Sequence, residues 1–208
     1  MDRQENATRR RPRADGLTID RIVGAAILLV DASGLPALTV RRLADDLGTG
    51  SASLYRHVAS REELVVLMVD HVLGEVALPG DELAPLTRIE LLAGELRRVL
   101  LHHERLLPAL TASPLLGPNA LRGVEVGLNS ALDAGFAPEV ATPAVLALID
   151  FVLGTVYFDT SSAGRSLADG SGPGAPLTPA PLADEVFAFG LHTFLSGLVH
   201  RSGAADTL

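Results

Sequence analysis

The 208-residue sequence contains no cysteine, no lysine and no tryptophan. Without cysteine there is no disulfide framework, no thiolate metal site and no cysteine nucleophile, and cysteine usage says nothing about the redox compartment. The missing lysine leaves all 17 basic residues as arginine, which reads first as a base-composition signature of the source DNA. Aromatic residues make up 4% of the chain. A core must therefore be built from Leu, Val and Ala, a mix that favours helix. Long unbroken apolar runs are missing too. Ala25 to Val30 is typical, far short of the ~20 residues that span a bilayer as a helix. The first sixteen residues, MDRQENATRRRPRADG, are charged and lack the apolar stretch of a secretory leader. The expectation is a soluble, cytoplasmic chain with no membrane partner.

Hydrophobic residues are 48% of the chain and charged residues 20%, enough to bury a substantial core and too apolar for general disorder. The net charge of −8 argues at first against nucleic acid. Its distribution argues the other way. Residues 1–61 hold ten Arg and seven Asp or Glu, a net +3, while residues 62–208 hold seven Arg and eighteen acids, a net −11. A local basic surface is what phosphate needs.

The periodicity predicts an all-α chain in three parts. Residues 1–16 form a basic tail with a cluster from Arg9 to Arg13, either a disordered segment or an arm for the minor groove. Residues 17–78 form a first domain and residues 79–208 a second. Thr18 is placed to cap a helix running to Ser33, with Ile22, Val23, Ala26, Ile27 and Val30 on one face and Gly34 closing it. Thr39 caps a second helix, Val40 to Leu47, and Gly48 stops it. A turn at Thr49-Gly50 leads into a third, about Ser51 to Val58. Ser60 with Glu63 reads as a capping box for a fourth helix reaching about Val76. Beyond Pro79-Gly80, helices are expected near 85–103, 104–112, 118–134, 138–162 and 181–201. A mobile Gly, Pro and Ser-rich loop is expected from Ser166 to Pro181.

The segment from Leu38 to Val58 has helix-turn-helix mechanics. Leu43, Ala44 and Leu47 face inward, Gly48 permits the sharp turn, and Leu54 and Val58 anchor the second helix. Ser51, Ala52, Ser53, Tyr55, Arg56 and His57 remain at its start or on its outer side, where a helix reads base edges in the major groove. Two bland alternatives stay open: Tyr55 as a core residue and His57 as a packed surface residue. Arg41 and Arg42 are neighbours on one helix, so only one can point at DNA. No zinc-protease helix, phosphate-binding Gly loop or paired-carboxylate site accompanies the motif, so an enzyme is the weaker reading and no cofactor is implied. Adjacent His102 and His103 point about 100° apart on a helix and do not converge on a metal.

The run Leu38-Thr39-Val40-Arg41-Arg42-Leu43-Ala44, then Leu47-Gly48, Ser53-Leu54-Tyr55-Arg56-His57-Val58 and Arg61-Glu62-Glu63-Leu64, resembles the tetracycline-repressor (TetR) family of bacterial regulators. The likeness covers Thr18 to Leu67, about a quarter of the chain. It implies an N-terminal three-helix DNA-binding domain and a helical regulatory and dimerisation domain. It places Thr39 and Arg41 beside the backbone and groove, with Arg41 rather than Arg42 toward DNA. Ser51, Ala52 and Ser53 fall at base-reading positions, Tyr55 and His57 at phosphate positions. Arg56 falls where a phosphate or guanine contact fits, and Arg61 where relatives carry a phosphate-binding Lys. The implied partners are double-stranded operator DNA of palindromic sequence, a small-molecule effector and a second copy of the chain, joined through helices near 138–162 and 181–201. Members that bind tetracycline with magnesium use a pocket histidine. The corresponding stretch here, Ala109-Leu110-Thr111-Ala112-Ser113, has none, so an apolar effector is expected instead. Leu110 and the polar residues within the apolar helices, His71, His103, Glu125, Asn129, Asp150 and Tyr157, are the candidate pocket residues. Control by a protein partner, or action as an activator, stays open.

Overall fold

A computed structural model describes residues 16–112, 117–161 and 182–201. These residues are helical throughout, with no strand among them. The first three helices are α1 (Ile19–Ser33), α2 (Val40–Asp46) and α3 (Ser51–Leu54), and α4 (Arg61–Leu73) follows. The second half comprises α5 (Pro85–His102), α6 (Leu107–Ala112), α7 (Pro118–Asp133), α8 (Pro138–Thr160) and α9 (Leu182–Arg201). Most expected boundaries shift by one to three residues. One element divides: the helix expected over 104–112 is a 3-10 turn, Glu104–Leu106, followed by α6. The predicted loop from Ser166 to Pro181 and the Arg9–Arg13 cluster lie outside the described residues.

Local chemistry sets the helix ends. Thr18, Thr39 and Ser60 each accept a hydrogen bond from the backbone N–H three residues on, with N···O distances of 3.1–3.2 Å. Glu63 reaches back past the cap and accepts from the Ala59 N–H rather than from the Ser60 N–H of the expected capping box. In the second half, α5, α7 and α8 all open on proline at their first position, where the missing N–H costs nothing. Gly34 closes α1 at φ 80°, a left-handed value that a β-carbon would strain.

The core runs through both halves. Ile22, Val23, Ala26 and Val30 of α1 are buried, as are Leu43, Leu54, Met68 and Val72. In the second half α5 packs on α7 and α8, burying Ile89, Ala93, Leu100, Val145, Leu148 and Val152. A charged joint ties α5 to α8 and α9. Arg97 is buried, lies 2.9 Å from Asp159 and 3.1 Å from Asp184, and sits over the Phe187 ring at 4.9 Å. Burial holds the Asp159 carboxyl above the usual carboxylate range, opposed by Arg97 and assisted by Asp184.

The outer faces of α8 and α9 are bare. Leu146, Tyr157, Phe158, Val186 and Phe189 are all exposed, Phe189 by 74%. By length and composition alone, α8 and α9 would each be able to cross a membrane. Counting unbroken apolar runs in the sequence does not reveal this, because isolated polar residues interrupt both helices.

Candidate nucleic-acid interface and regulatory cavity

The turn between α2 and α3 is set by Gly48. Its φ of 64° is left-handed, and two bonds close around it: Gly48 N–H to the Asp45 carbonyl at 3.1 Å and Thr49 N–H to the Ala44 carbonyl at 2.9 Å. This is the Schellman arrangement that ends a helix sharply. Ala44 and Leu43 are fully packed beneath it, while Leu47 is only half-buried. α3 is regular only to Leu54. The chain then continues as hydrogen-bonded turns, with His57 and Val58 N–H groups both on the Leu54 carbonyl. Leu54 and Val58 are buried as the four-residue spacing requires.

That anchoring leaves one polar outer surface. Ala52, Tyr55 and Arg56 are exposed, and Ser51, Ser53 and His57 are half-exposed. Tyr55 is 55% exposed, so it is not a core residue. Arg56 donates to the Ser53 hydroxyl at 2.9 Å, which holds its guanidinium against the outer face of α3. Arg41 is exposed with no partner among the described residues, whereas Arg42 donates to Ser33 of α1 at 3.1 Å. Thr39 serves as the cap of α2 and its residue is exposed.

Arg61 departs from a simple surface contact. Its Nε donates to the Leu38 carbonyl at 3.0 Å and an Nη to the Leu35 carbonyl at 3.1 Å. It thereby clamps the start of α4 to the segment that launches α2, so its placement of the helix-turn-helix is built into the fold.

An apolar cavity of about 80 Å³, partly open to solvent, lies among α4, α5, α6, α7 and α8. Leu73 and Val76 form its wall at the end of α4, Leu110 its α6 wall, and Val152 and Leu153 part of its α8 wall. Along α7 the wall is stripped of bulk: Ala120, Gly123 and Gly127 face it. A β-carbon at Gly123 would meet nothing within 4 Å. Asn119 is the sole polar side chain among the described residues lining this cavity.

Of the seven sequence candidates for the pocket, the structure brings Leu110 to the cavity and leaves the other six off its wall. His71, Glu125, Asn129 and Asp150 are exposed, and Tyr157 is 60% exposed. These polar residues lie on the outward arcs of their helices, because the wall itself is apolar. Asp150 lines a shallow groove between α8 and α9 instead.

His103 is buried, but at the joint between the halves. Its Nδ1 lies 2.9 Å from Asp31 of α1 and its Nε2 3.3 Å from Glu75 just beyond α4. Arg105 donates to the Ala32 carbonyl at 2.6 Å and Arg98 to the Glu75 carbonyl at 3.4 Å. The end of α5 and the turn after it therefore grip the C-terminal ends of α1 and α4.

A second joint links α4 to α7. The Asp70 carboxylate accepts from the backbone N–H of Asn119 at 2.9 Å and of Ala120 at 3.2 Å, capping α7 from outside. The Asn119 amide donates to the Asp70 carbonyl and to its carboxylate, both at 3.1 Å. A β-carbon at Gly117 would collide with Asp70, and one at Gly74 would stand 2.9 Å from the Asn119 amide nitrogen. Asp70, Asn119, Asp31 and Glu75 were all missed by sequence reasoning. The one available signal was Gly117-Pro118-Asn119, which marks a helix start but names no partner.

Comparison with known proteins agrees with this geometry. Residues 22–68 match the family described as bacterial regulatory proteins, tetR family, and residues 78–172 match the tetracyclin repressor-like C-terminal domain. An HTH-type transcriptional repressor, DrrR1 of Streptomyces coeruleorubidus, is 32% identical over 196 residues, covering 91% of this chain and 72% of that protein. The chain belongs to the TetR family of bacterial transcriptional regulators. An HTH-type transcriptional regulator of Saccharopolyspora erythraea is 39% identical over 156 residues, covering 74% of this chain and 64% of that protein, so the matched region spans just under two thirds of that relative. The crystal structure of the TetR-family protein ActR of Streptomyces coelicolor in complex with actinorhodin superposes with a TM-score of 0.78 at 33% identity, covering 92% of this chain and 100% of that one. A TetR-family chain is a DNA-binding regulator with an N-terminal helix-turn-helix, here within residues 22–68.

Proposed function

We propose that this TetR-family chain is a cytoplasmic repressor that binds a palindromic operator as a homodimer and is released by an apolar small molecule. The observation that carries the reading is the span of α4. Its first residue, Arg61, clamps the helix-turn-helix, and its far end, Leu73, walls the cavity. A molecule in the cavity contacts the same rigid element that positions α2 and α3. If it favours the arrangement in which the two recognition surfaces no longer match the operator, it shifts the population and lowers DNA affinity.

Ser51, Ala52 and Ser53 are assigned to base edges, and Arg41, Tyr55, Arg56 and His57 to phosphate and groove edges. Thr39 flanks them and Arg61 positions them. The exposed apolar face of α8 and α9 is assigned to the second copy, which would set two recognition helices about 34 Å apart, one turn of DNA. The apolar wall suits a hydrocarbon-rich, aromatic effector better than a tetracycline–magnesium chelate. ActR, a relative, holds actinorhodin, and DrrR1 is a repressor; both agree with this reading.

The test is a thermal-shift screen of aromatic compounds on the full chain, repeated on Gly123→Leu, which fills the open space on the α7 wall. Compounds that raise the melting temperature of the wild type should lose at least most of that shift in Gly123→Leu. Equal shifts in both proteins would move the effector site elsewhere. If no small molecule shifts the wild type, control by a protein partner becomes the better reading.

A further inference from the structure

We infer that Asn119 selects effectors carrying a hydroxyl hydrogen-bond donor on an otherwise apolar aromatic frame. The inference rests on the cavity being the effector site. Asn119 is the one polar side chain among the described wall residues. Its amide nitrogen has two protons, and both are directed to Asp70, at the main-chain carbonyl and at the carboxylate. Those bonds fix the orientation of the amide. The remaining atom, Oδ1, has no hydrogen-bond partner among the described residues, and it can only accept.

An acceptor held in an apolar wall discriminates in one direction. A ligand hydroxyl placed against it replaces the solvent hydrogen bond of this half-exposed residue, while a methyl of similar size displaces the solvent and leaves the acceptor unpaired. A ligand that offers only acceptors meets repulsion between lone pairs. A carboxylate ligand meets, in addition, the Asp70 charge directly behind the amide. The chemistry of the wall therefore fits phenols and hydroxylated polycyclic aromatics, and disfavours aromatic acids and bare hydrocarbons. The same amide is bonded to α4 through Asp70, so a hydroxyl seated there bears directly on the joint between α4 and α7.

The experiment compares 2-naphthol with 2-methylnaphthalene, a pair of matched shape that differs in the donor. The chain has no tryptophan, so naphthol fluorescence can be followed without an indole background; the methyl compound is measured by competition. The full-length wild type should bind 2-naphthol on the order of tenfold more tightly than 2-methylnaphthalene. In Asn119→Ala that preference should fall to about unity, with the affinity for 2-methylnaphthalene changed far less. The wild-type comparison stands alone if Asn119→Ala fails to fold. Equal affinities in the wild type, or a preference that survives in Asn119→Ala, would overturn the role of Asn119. If Gly123→Leu still weakens both compounds in that case, the cavity reading survives without it. Binding of neither compound, or binding indifferent to Gly123→Leu, would remove the cavity reading and this inference together.

Discussion

The two halves of this chain carry their chemistry in opposite ways. In the DNA-binding half, the proposed contacts are polar residues on an outer surface: Arg41, Tyr55 and Arg56 are exposed, while Leu43, Leu54 and Val58 are buried. In the regulatory half, the proposed function lies in what is left out. Gly123, Gly127 and Ala120 remove bulk from a wall otherwise made of Leu, Ile, Val and Ala93, and a single amide interrupts it. A surface that reads DNA needs specific side chains at fixed offsets. A cavity needs only a deficit of volume, which many sequences can supply. Asn119 and His103 of the regulatory half link it to the DNA-binding half, through Asp70 and through Asp31 and Glu75.

The largest expected effect breaks the contrast at its outer edge. Phe189→Glu places a charge on the bare α9 face, and sedimentation should show monomers. Operator affinity should fall by roughly 100-fold or more, because the two half-sites no longer bind as one ligand. A dimeric Phe189→Glu protein with normal affinity would remove α9 from the dimer face. Next, Tyr55→Ala should weaken operator binding by about 1–3 kcal/mol, and Arg41→Ala should do the same with a shallower salt dependence. Both should leave the binding of aromatic compounds in place. If both variants kept specific operator binding, the placement of the motif on DNA would be wrong. The smallest effect sharpens the joint. His103→Ala should lower stability to urea by about 1 kcal/mol, because the two hydrogen bonds of the buried ring are lost while its partners Asp31 and Glu75 stay in reach of water. It should also reduce the factor by which a bound compound weakens operator binding. A variant with lower stability but an unchanged factor would make His103 a structural tie only.

Legibility followed the same division. The helix-turn-helix was readable because its chemistry is periodic: a cap at Thr39, small Ala44 at the crossing, Gly48 at the turn, and Leu54 and Val58 four apart. Even there the sequence overextended the third helix, whose regular hydrogen bonding ends at Leu54. Arg61 was legible as a positive charge where the family resemblance places Lys but not as a clamp, since its carbonyl partners lie 23 and 26 residues away. In the second half, helix positions were readable from proline starts and apolar spacing, while the pocket was not. Polar residues drew attention, yet Glu125, Asn129 and Asp150 point outward. Asp70 and Asn119, which pair beside the cavity, lie 49 residues apart in sequence, and no local pattern encodes their contact.

In the proposed mechanism one cavity, through α4, governs the grip of the helix-turn-helix on its operator. The most direct measurement is fluorescence anisotropy of an operator selected by the wild-type protein from random DNA, titrated with and without a compound found to bind the cavity. A saturating compound should weaken operator affinity by at least tenfold in the wild type, and this weakening should be largely lost in Gly123→Leu. A compound that saturates the cavity yet leaves operator affinity unchanged would contradict the account.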